Sequence, residues 1–213
     1  MSRAVIVCGA KISDYEWVGS QFREDDFFIY CDSGLIHEDR FLTKIDTKAN
    51  LIIGDFDSHE RPERADVEII TLPVEKDDTD SVYAVKEAIK RGHDSILLVG
   101  AVGNRFDHSL VNVYALLYMN EQGIKADIID DYSVMTLIDK NTPAEVVDIW
   151  PYFSLVAING KATGVTIIDA KYELNNAEIT PSYQFATSNE PISGKIAKIS
   201  VREGYLLLIK DRY

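Results

Sequence analysis

Runs of apolar, mostly β-branched residues alternate with helical patterns over the first 130 residues of the chain. The runs that predict β-strands cover residues 4–9, 27–32, 50–55, 67–72, 95–100 and 126–130. Strands that alternate with helices are typical of a parallel sheet whose faces the helices cover. This half of the chain is therefore predicted to be an α/β domain with an open, mostly parallel sheet flanked by helices.

Two segments of this half have the periodicity of amphipathic helices. In residues 80–91 the apolar positions recur at i, i+3 and i+7, and Gly92 follows as a C-terminal stop. Residues 107–122 repeat the pattern and end before Gly123. Both segments are predicted to be α-helices.

The helical period disappears after about residue 131, and short strand patterns replace it. The predicted strands are residues 133–138, 153–158, 164–169, 183–187, 195–201 and 205–210. Turn signals separate them at Asn159-Gly160, Asn175-Asn176, Ser193-Gly194 and Glu203-Gly204. The second half is therefore predicted to be an antiparallel β-sandwich or a partly open barrel.

The change of pattern divides the chain into predicted domains of residues 1–131 and 132–213. No stretch rich in proline, glycine or serine separates them, so we expect the two domains to pack tightly together. Neither half contains an internal repeat or a low-complexity segment.

Composition narrows the possible function classes. Hydrophobic residues make up 46% of the chain and charged residues 27%, as in ordinary globular proteins. The formal net charge of −13 argues against a general nucleic-acid binder, because such a protein needs a basic face to neutralise phosphates.

The cysteines and the apolar runs indicate the compartment. Cys8 and Cys31 lie in strand-like apolar runs without CxxC spacing, so we expect buried thiols in a reducing environment. The apolar run near the first residue is too short for a signal peptide, and no stretch approaches the roughly 20 apolar residues of a membrane span. The protein is therefore predicted to be cytoplasmic.

Acidic residues follow four successive predicted strands. They are Asp32 after the second strand, Asp55 and Asp57 after the third, Asp77, Asp78 and Asp80 after the fourth, and Asp107 after the fifth. Ligands of open α/β sheets bind outside the carboxyl ends of the strands. The acids are therefore expected to meet at the ligand-binding edge of the sheet.

Two carboxylates at the end of a buried strand are unfavourable unless a cation lies between them, because both lose solvation and repel each other. Mg²⁺ takes oxygen ligands and is usually bound by one or two carboxylates together with substrate phosphates. Zinc is less favoured, because the cysteines lie in strands and the histidines show no paired spacing. The acids therefore predict a magnesium site and phosphoryl chemistry.

The loop GAVGNRFDHS, residues 100–109, is a second candidate for ligand binding. Gly100 and Gly103 allow the backbone to approach a ligand closely, and the helix that follows offers N–H groups to an anion. Arg105 adds a bidentate donor for phosphate. The competing interpretation is a simple strand-to-helix turn with Asp107 as the N-cap.

The segment EKDDTDS, residues 75–81, leaves a similar choice open. Asp78 or Thr79 can cap the helix that follows, but three acids within four residues exceed what a cap needs. Capping and metal binding can coexist there. Of the histidines, His108 is expected near the site because it follows Asp107. The other histidines are expected at the surface or in loops: His37, His59 and His93.

Taken together, the motifs IIGDFDS, EKDDTDS and GNRFDH, in this order, resemble the thiamine pyrophosphokinases of the bacterial type. The second half resembles that family's thiamine-binding β domain in the segments FSLVAINGKATGVTI, KYELNNAEI, TSNEP and VREGYLLLI. The resemblance covers essentially the whole chain. Two departures occur: Ser33 follows Asp32 where the family usually has Asp-Gly-Gly, and Asn104 precedes Arg105 where it usually has Gly-Gly-Arg.

The resemblance implies an N-terminal catalytic domain that binds ATP and Mg²⁺, and a C-terminal domain that binds thiamine. It implies transfer of a pyrophosphoryl group from ATP to the hydroxyl of thiamine, which gives thiamine diphosphate and AMP. It also implies a homodimer whose active sites lie between the subunits.

The resemblance further implies roles for the matching residues. The expected magnesium ligands are Asp55, Asp57 and Asp80. The expected catalytic group adds Asp78, which would orient the attacking hydroxyl, and Arg105. The expected contacts to ATP and its phosphates are Asp32, Lys76, Thr79, Asn104, Arg105, Asp107 and His108. Ser188 and Asn189 of TSNEP are expected to contact thiamine together with Asp78, and the competing interpretation of that pair is a polar turn between strands.

Two alternative functions stay open from the sequence. A metal-dependent phosphohydrolase also uses an Asp-x-Asp pair at a strand end, with the first aspartate, here Asp55, as the nucleophile. A non-catalytic sensor of thiamine or a nucleotide would keep the fold and lose turnover, and the Ser33 and Asn104 departures make that option relevant.

Overall fold

A computed structural model describes residues 2–57 and 61–213 of the chain. Within it the chain forms two compact units, one of which ends at Asp131 while the other begins at Tyr132. No helix of the described residues is long and apolar enough to cross a membrane.

The N-terminal unit is an α/β fold. Its strands are β1 (Arg3–Val7), β2 (Phe27–Cys31), β3 (Leu51–Gly54), β4 (Glu68–Thr71), β5 (Ser95–Val99) and β6 (Lys125–Ile129). Its helices are α1 (Tyr15–Ser20), α2 (Asp80–Lys90) and α3 (Phe106–Glu121), with a 3₁₀ helix over Asp32–His37. The predicted strands and both predicted helices are present, whereas α1 and the 3₁₀ helix were not predicted.

All strand pairs of this unit are parallel, and they give the order β4-β3-β2-β1-β5-β6. The strands β2, β3 and β4 are added in succession on one side of β1, and β5 and β6 lie on its other side. The carboxyl ends of β1 and β5 therefore flank the topological switch point, where open α/β sheets bind ligands.

The strands β1 and β5 form the centre of the apolar core of this unit. Ile6, Ile29 and Leu98 are fully buried, and each such side chain contributes about 1.5–3 kcal/mol of transfer free energy. Cys8 and Cys31 are buried with free thiols, so the sequence prediction of buried thiols is confirmed. Their mutual hydrogen bond, together with burial, raises the pKa of the Cys31 thiol, which makes it an unreactive group.

The helices α2 and α3 begin close to the carboxyl edge of the sheet. Thr79 is the N-cap of α2, and its hydroxyl accepts a hydrogen bond from the amide of Val82 at 3.4 Å. The N-cap of α3 is Arg105, which makes no side-chain capping bond, and Asp107 lies within the first turn. The alternative interpretation of Asp107 as the N-cap is therefore wrong.

The C-terminal unit is entirely β. Its strands are β7 (Ser133–Ile138), β8 (Ala144–Val147), β9 (Tyr152–Ala157), β10 (Ala162–Ile168), β11 (Leu174–Ile179), β12 (Ile196–Ser200) and β13 (Leu206–Asp211). β13 pairs antiparallel with β7 and β9, and a second antiparallel sheet has the order β11-β10-β12-β8. Phe153 and Leu206 of the first set share one core with Val165 and Ile199 of the second, as the predicted β-sandwich requires.

Two local predictions for this unit are wrong. Residues 183–187 form no strand; instead Gln184 donates to the carbonyl of Ala157 at 2.9 Å and accepts from its amide at 3.0 Å. The side-chain amide thus completes the backbone pairing at the end of β9. Asn175 and Asn176 lie inside β11 rather than in a turn, at an irregularity where Asn176 adopts φ 53°.

Candidate active site

A cavity of about 870 Å³ opens at the carboxyl edge of the parallel sheet. The loops that follow β1, β2, β3, β4 and β5 all contribute to its walls. Of the predicted site residues, the lining includes Asp32, Asp55, Asp57, Lys76, Asp78, Thr79, Asp80, Asn104, Arg105 and His108. The cavity therefore gathers side chains that are as far apart in the sequence as Asp32 and His108.

Three carboxylates meet at one point of this cavity. Ligand oxygens of Asp32, Asp55 and Asp57 lie within 4.8 Å of one another. Asp32 directly follows β2, and Gly54 is required beside it, because a Cβ at Gly54 would lie 2.5 Å from the Asp32 Cβ. Asp80 is not part of this three-carboxylate group.

The turn after β3 positions two of these carboxylates. Phe56 adopts φ 54°, a left-handed conformation that costs about 1–2 kcal/mol for a residue with a side chain. This conformation turns the chain directly after the strand and brings the Asp57 amide to 3.3 Å from Asp55 Oδ1. A strained backbone position between two ligand-type side chains is typical of functional sites.

Lys76 lies between two carboxylates of the cavity. Its ammonium contacts Asp55 and is 3.1 Å from Asp80 Oδ1. Burial acts to lower the pKa of Lys76, but the bonds to Asp55 and Asp80 outweigh it, so the net shift is upward and the group is charged. The carboxylates of Asp55 and Asp80 share this one ammonium, and a divalent cation bound beside them would balance the negative charge that remains on the pair.

The two carboxylates that share Lys76 differ in acidity. The hydrogen bond from Lys76 lowers the pKa of Asp55 below its usual value. Burial raises the pKa of Asp80 despite the contact with Lys76, and the nearby charges of Asp55 and Asp57 act in the same direction. A bound cation would relieve the repulsion that raises the pKa of Asp80.

A buried chain of hydrogen bonds joins two loops of the site. Thr79 Oγ1 lies 3.0 Å from Ser81 Oγ, and Ser81 Oγ donates to Asn112 Oδ1 at 2.7 Å. Asn112 Nδ2 in turn donates to the carbonyl of Ala101 at 2.7 Å. The start of α2 and the loop after β5 are therefore held together through one side chain of α3.

The loop after β5 packs directly on the loop after β1. Gly100 adopts φ 60°, and a Cβ there would collide with the Cys8 carbonyl. A Cβ at Gly103 would lie 2.7 Å from the Cβ of Ala10. These glycines were expected to admit a ligand, and the structure adds a second reason for them, which is the contact between the two loops at the switch point.

Arg105 and Asp107 form a bidentate pair at the mouth of the site. Arg105 Nε and Nη2 lie 3.0 and 2.7 Å from the two carboxylate oxygens, and the pair lowers the pKa of Asp107. The side chains are 70% and 63% exposed, so solvent weakens the pair and an incoming phosphate can compete for the guanidinium. Asp107 itself is not among the residues that line the cavity.

Asp78 lines the cavity, and Lys86 Nζ lies 2.5 Å from its Oδ2. Asp77 is exposed and does not line the cavity. Of the acids that follow β4, the structure therefore brings Asp78 and Asp80 to the site.

Of the described histidines, His37 departs from the expectation. His108 lines the cavity, with Nε2 4.0 Å from Asp107 Oδ2. The prediction of a surface or loop position is wrong for His37, which lies in the 3₁₀ helix and is only 1% exposed. His93 lies in the loop between α2 and β5, as predicted, but it is buried. His93 bonds Ser2 Oγ at 2.8 Å. His59 lies outside the described residues.

The sequence reasoning missed one wall of the cavity. Lys11, Tyr15, His37 and Arg40 all line it, and they come from the loop after β1, from α1 and from the region of the 3₁₀ helix. A signal was available, since β1 is also a strand whose carboxyl end lies at the ligand-binding edge. The prediction depended on acids, and the residues that follow β1 up to Ser13 include none.

The predicted thiamine contacts lie in the C-terminal unit. Asn189 is buried, and its amide accepts from the backbone of Tyr172 at 3.0 Å and of Glu190 at 2.9 Å and donates to the Tyr172 carbonyl at 2.8 Å. Ser188 is exposed, adopts φ 55°, and donates its amide to Ser154 Oγ at 3.0 Å. The Asn189 side chain therefore holds the loop, while Ser188 is an exposed residue of that loop.

Known proteins match both units. The family model described as thiamin pyrophosphokinase, catalytic domain, matches residues 19–128, and that of the vitamin B1 binding domain matches residues 139–206. A thiamine pyrophosphokinase of Bacillus subtilis is 29% identical over 164 residues, which cover 74% of this chain and 76% of the relative.

Solved structures share the fold. The crystal structure of thiamine pyrophosphokinase from Bacillus subtilis has a TM-score of 0.84 at 24% identity and covers 99% of both chains. That of a thiamin pyrophosphokinase family protein from Enterococcus faecalis has a TM-score of 0.82 at 26% identity and covers 100% of both.

The match of the α/β unit to the catalytic-domain family model, together with the Bacillus subtilis relative, places the chain among kinase-type diphosphotransferases. The catalytic-domain model alone spans 110 of the 213 residues. The chain belongs to the thiamin pyrophosphokinase family.

Proposed function

We propose that this chain transfers the pyrophosphoryl group of ATP to the hydroxyl of thiamine and releases AMP, with Mg²⁺ as the metal. The observation that carries the proposal is the convergence of Asp32, Asp55 and Asp57 in a cavity that Lys76 and Arg105 also line. Phosphoryl transfer depends on positioning and on the stabilisation of charge, and this arrangement supplies both.

The donor set fits magnesium. The three carboxylates, whose oxygens lie within 4.8 Å of one another, offer only hard oxygen ligands. Mg²⁺ prefers such ligands, whereas zinc has no need of them. We propose Asp55, Asp57 and Asp80 as ligands, as the sequence predicts. We add Asp32 because its carboxylate lies beside those of Asp55 and Asp57. A bound Mg²⁺ would neutralise phosphate charge and hold the triphosphate in register.

The remaining residues of the cavity bind and orient the substrates. Lys76, Arg105 and Thr79 are proposed to contact phosphate oxygens, with Asn104 and His108 beside them at the entrance. Asp107 lies outside the lining and acts by holding the Arg105 guanidinium. Asp78 is proposed to accept a hydrogen bond from the thiamine hydroxyl, so that the hydroxyl oxygen points at the β-phosphorus.

The reaction balances without a further reactant. The hydroxyl oxygen of thiamine forms a bond to the β-phosphorus of ATP. At the same time the bond breaks between that phosphorus and the oxygen that bridges it to the α-phosphorus. The electron pair stays on the bridging oxygen, which becomes a phosphate oxygen of AMP, and the hydroxyl proton is released.

Ser188, an exposed residue, is proposed to contact thiamine through its hydroxyl, with Asn189 as the residue that positions the loop.

We further propose a cytoplasmic homodimer. Exposed Tyr172, Tyr183 and Phe185 of the C-terminal unit support the dimer, because an interface would remove them from water. Sedimentation analysis at micromolar concentration tests it, and a monomer throughout would contradict it.

One assay tests the activity. Pure protein is incubated with thiamine, ATP and Mg²⁺, and the products are separated by chromatography. AMP and thiamine diphosphate are expected in equal amounts. ADP as the coproduct would indicate transfer of a single phosphoryl group, and binding without AMP would indicate a sensor. Phosphate release without thiamine, with a phosphorylated Asp55, would indicate a phosphohydrolase.

A further inference from the structure

The cavity has one wall that carries cations and no carboxylates. It is formed by the loop after β1, by α1 and by the end of the 3₁₀ helix, and Lys11, Tyr15, His37 and Arg40 line it. The carboxylates of the lining follow β2, β3 and β4 instead: Asp32, Asp55, Asp57, Asp78 and Asp80. The loop after β1, α1 and the end of the 3₁₀ helix therefore contribute cations to the lining without contributing carboxylates.

The two cations of this wall differ from the other cations of the cavity. Lys76 and Arg105 each form an ion pair with a carboxylate. Among the described residues, neither Lys11 nor Arg40 has a carboxylate within 4.0 Å, although the chain holds 35 acidic and only 22 basic residues. Both side chains are exposed to the cavity and available to an anionic ligand.

Arg40 is held in place by neutral partners. Its guanidinium carbon lies 4.9 Å from the centre of the Tyr15 ring, a cation–π contact that leaves the N–H donors available. The Tyr15 hydroxyl is 2.8 Å from His37 Nδ1, and His37 Nε2 is 3.0 Å from the Ala10 carbonyl. Because Nε2 must donate to that carbonyl, Nδ1 of the neutral ring accepts from Tyr15, which fixes the ring under Arg40.

We propose that Lys11 and Arg40 form a monophosphate site that binds the α-phosphate of ATP and the phosphate of the AMP released. The inference rests on the proposed function. The pyrophosphoryl group that is transferred is expected to bind at the carboxylates and their metal. The AMP part of ATP, which leaves, therefore needs positive charge from side chains of the protein. When the bond between the β-phosphorus and the bridging oxygen breaks, the electron pair adds a negative charge to the AMP phosphate, and the monophosphate site stabilises that charge.

The test compares Lys11→Gln and Arg40→Gln with a matched control, Lys44→Gln. Lys44 is an exposed cation of the same unit that does not line the cavity, so the three variants change the net charge equally. Equilibrium binding of AMP and of adenosine is measured without Mg²⁺, together with the kcat and KM for ATP.

Each cavity variant is expected to weaken AMP binding about tenfold or more, the effect of one charge-assisted hydrogen bond. Adenosine binding should not change, and the control should bind AMP like the unmodified chain. Unchanged AMP binding, or an equal loss for adenosine, would overturn the inference. If the unmodified chain makes no AMP in the activity assay, the proposed function fails and the inference fails with it; normal AMP formation with unaffected variants refutes the inference alone.

A double-mutant cycle tests the positioning role of Tyr15. Tyr15→Leu removes the ring under Arg40, so it should weaken AMP binding in the unmodified chain and have little further effect in Arg40→Gln. Tyr15→Phe keeps the ring and should retain most of the AMP affinity. Fully additive losses would show that Tyr15 does not act through Arg40.

Discussion

Replacing Asn112 by alanine should separate two loops of the active site. Asn112 is 4% exposed and lies on α3, where its amide accepts from Ser81 at the start of α2 and donates to Ala101 after β5. The alanine variant keeps the helix and removes both bonds. The loop that carries Lys76 and the loop that carries Arg105 then lose their shared anchor.

The expected loss in the free energy of unfolding depends on which other partners Ser81 and Ala101 have once the asparagine is removed. Ser81 Oγ can turn to Thr79, 3.0 Å away, so the loss there is close to the net worth of one hydrogen bond, about 1 kcal/mol. The Ala101 carbonyl belongs to a buried residue, and leaving it without this donor costs about 1–3 kcal/mol. The expected loss in the free energy of unfolding is therefore about 2–4 kcal/mol.

Urea unfolding measures this loss directly, with Asn120→Ala on the same helix as the control. Asn120 makes no side-chain hydrogen bond of this kind among the described residues, and its replacement should change stability by no more than about 0.5 kcal/mol. The kcat of Asn112→Ala should fall as well, because Lys76 and Arg105, the proposed phosphate contacts, are no longer held in register. A stability loss below about 1 kcal/mol with normal kcat would refute the reasoning.

Three further outcomes are expected. Asp57→Asn should fold normally and lose metal-dependent turnover, and near-normal activity under limiting Mg²⁺ would contradict the metal assignment. Arg105→Lys should lose turnover although the charge is kept, because lysine lacks the planar fork; steady-state kinetics with ATP varied measures this, and unchanged kinetics would exclude a bidentate contact. Lys76 lowers the pKa of Asp55 from the ordinary 3.8, so the pair stabilises the fold above that pH and the contribution is lost as the pH falls through the lower folded value. Urea unfolding of the metal-free protein should show a loss of stability that sets in as the pH falls below 3.8 and that is smaller in Lys76→Met, and identical pH profiles would argue against the pair.

The parts of the fold that were predictable are those in which burial decides the structure. Apolar runs such as residues 95–100 can only be buried, and the strands appear where expected. Residues 183–187 alternate like a strand, yet Gln184 uses its side-chain amide to pair with β9. β11 was missed for the opposite reason, since its two asparagines resemble a turn.

The site was predictable to the extent that topology alone creates it. Carboxyl ends of parallel strands share one edge, so the meeting of Asp32, Asp55 and Asp57 could be expected from the order of strands and acids along the chain. The placement of Lys11 and Arg40 in one cavity could not, because it depends on how the loop after β1 packs against the 3₁₀ helix. There Gly34 approaches the Val7 carbonyl so closely that no Cβ would fit, a distance that no sequence pattern encodes.

The contact between Gly9 and Ser33 limits which residues these two positions can hold together. A methyl group at Gly9 would occupy the space of the Ser33 hydroxyl, so a side chain can be accommodated at one of these positions or the other, but not at both without rearrangement. A substitution that adds a side chain at Gly9 therefore requires a smaller residue at position 33 or a shift of the loop after β2. Steric exclusion thus couples the two positions at the carboxyl edge of the sheet.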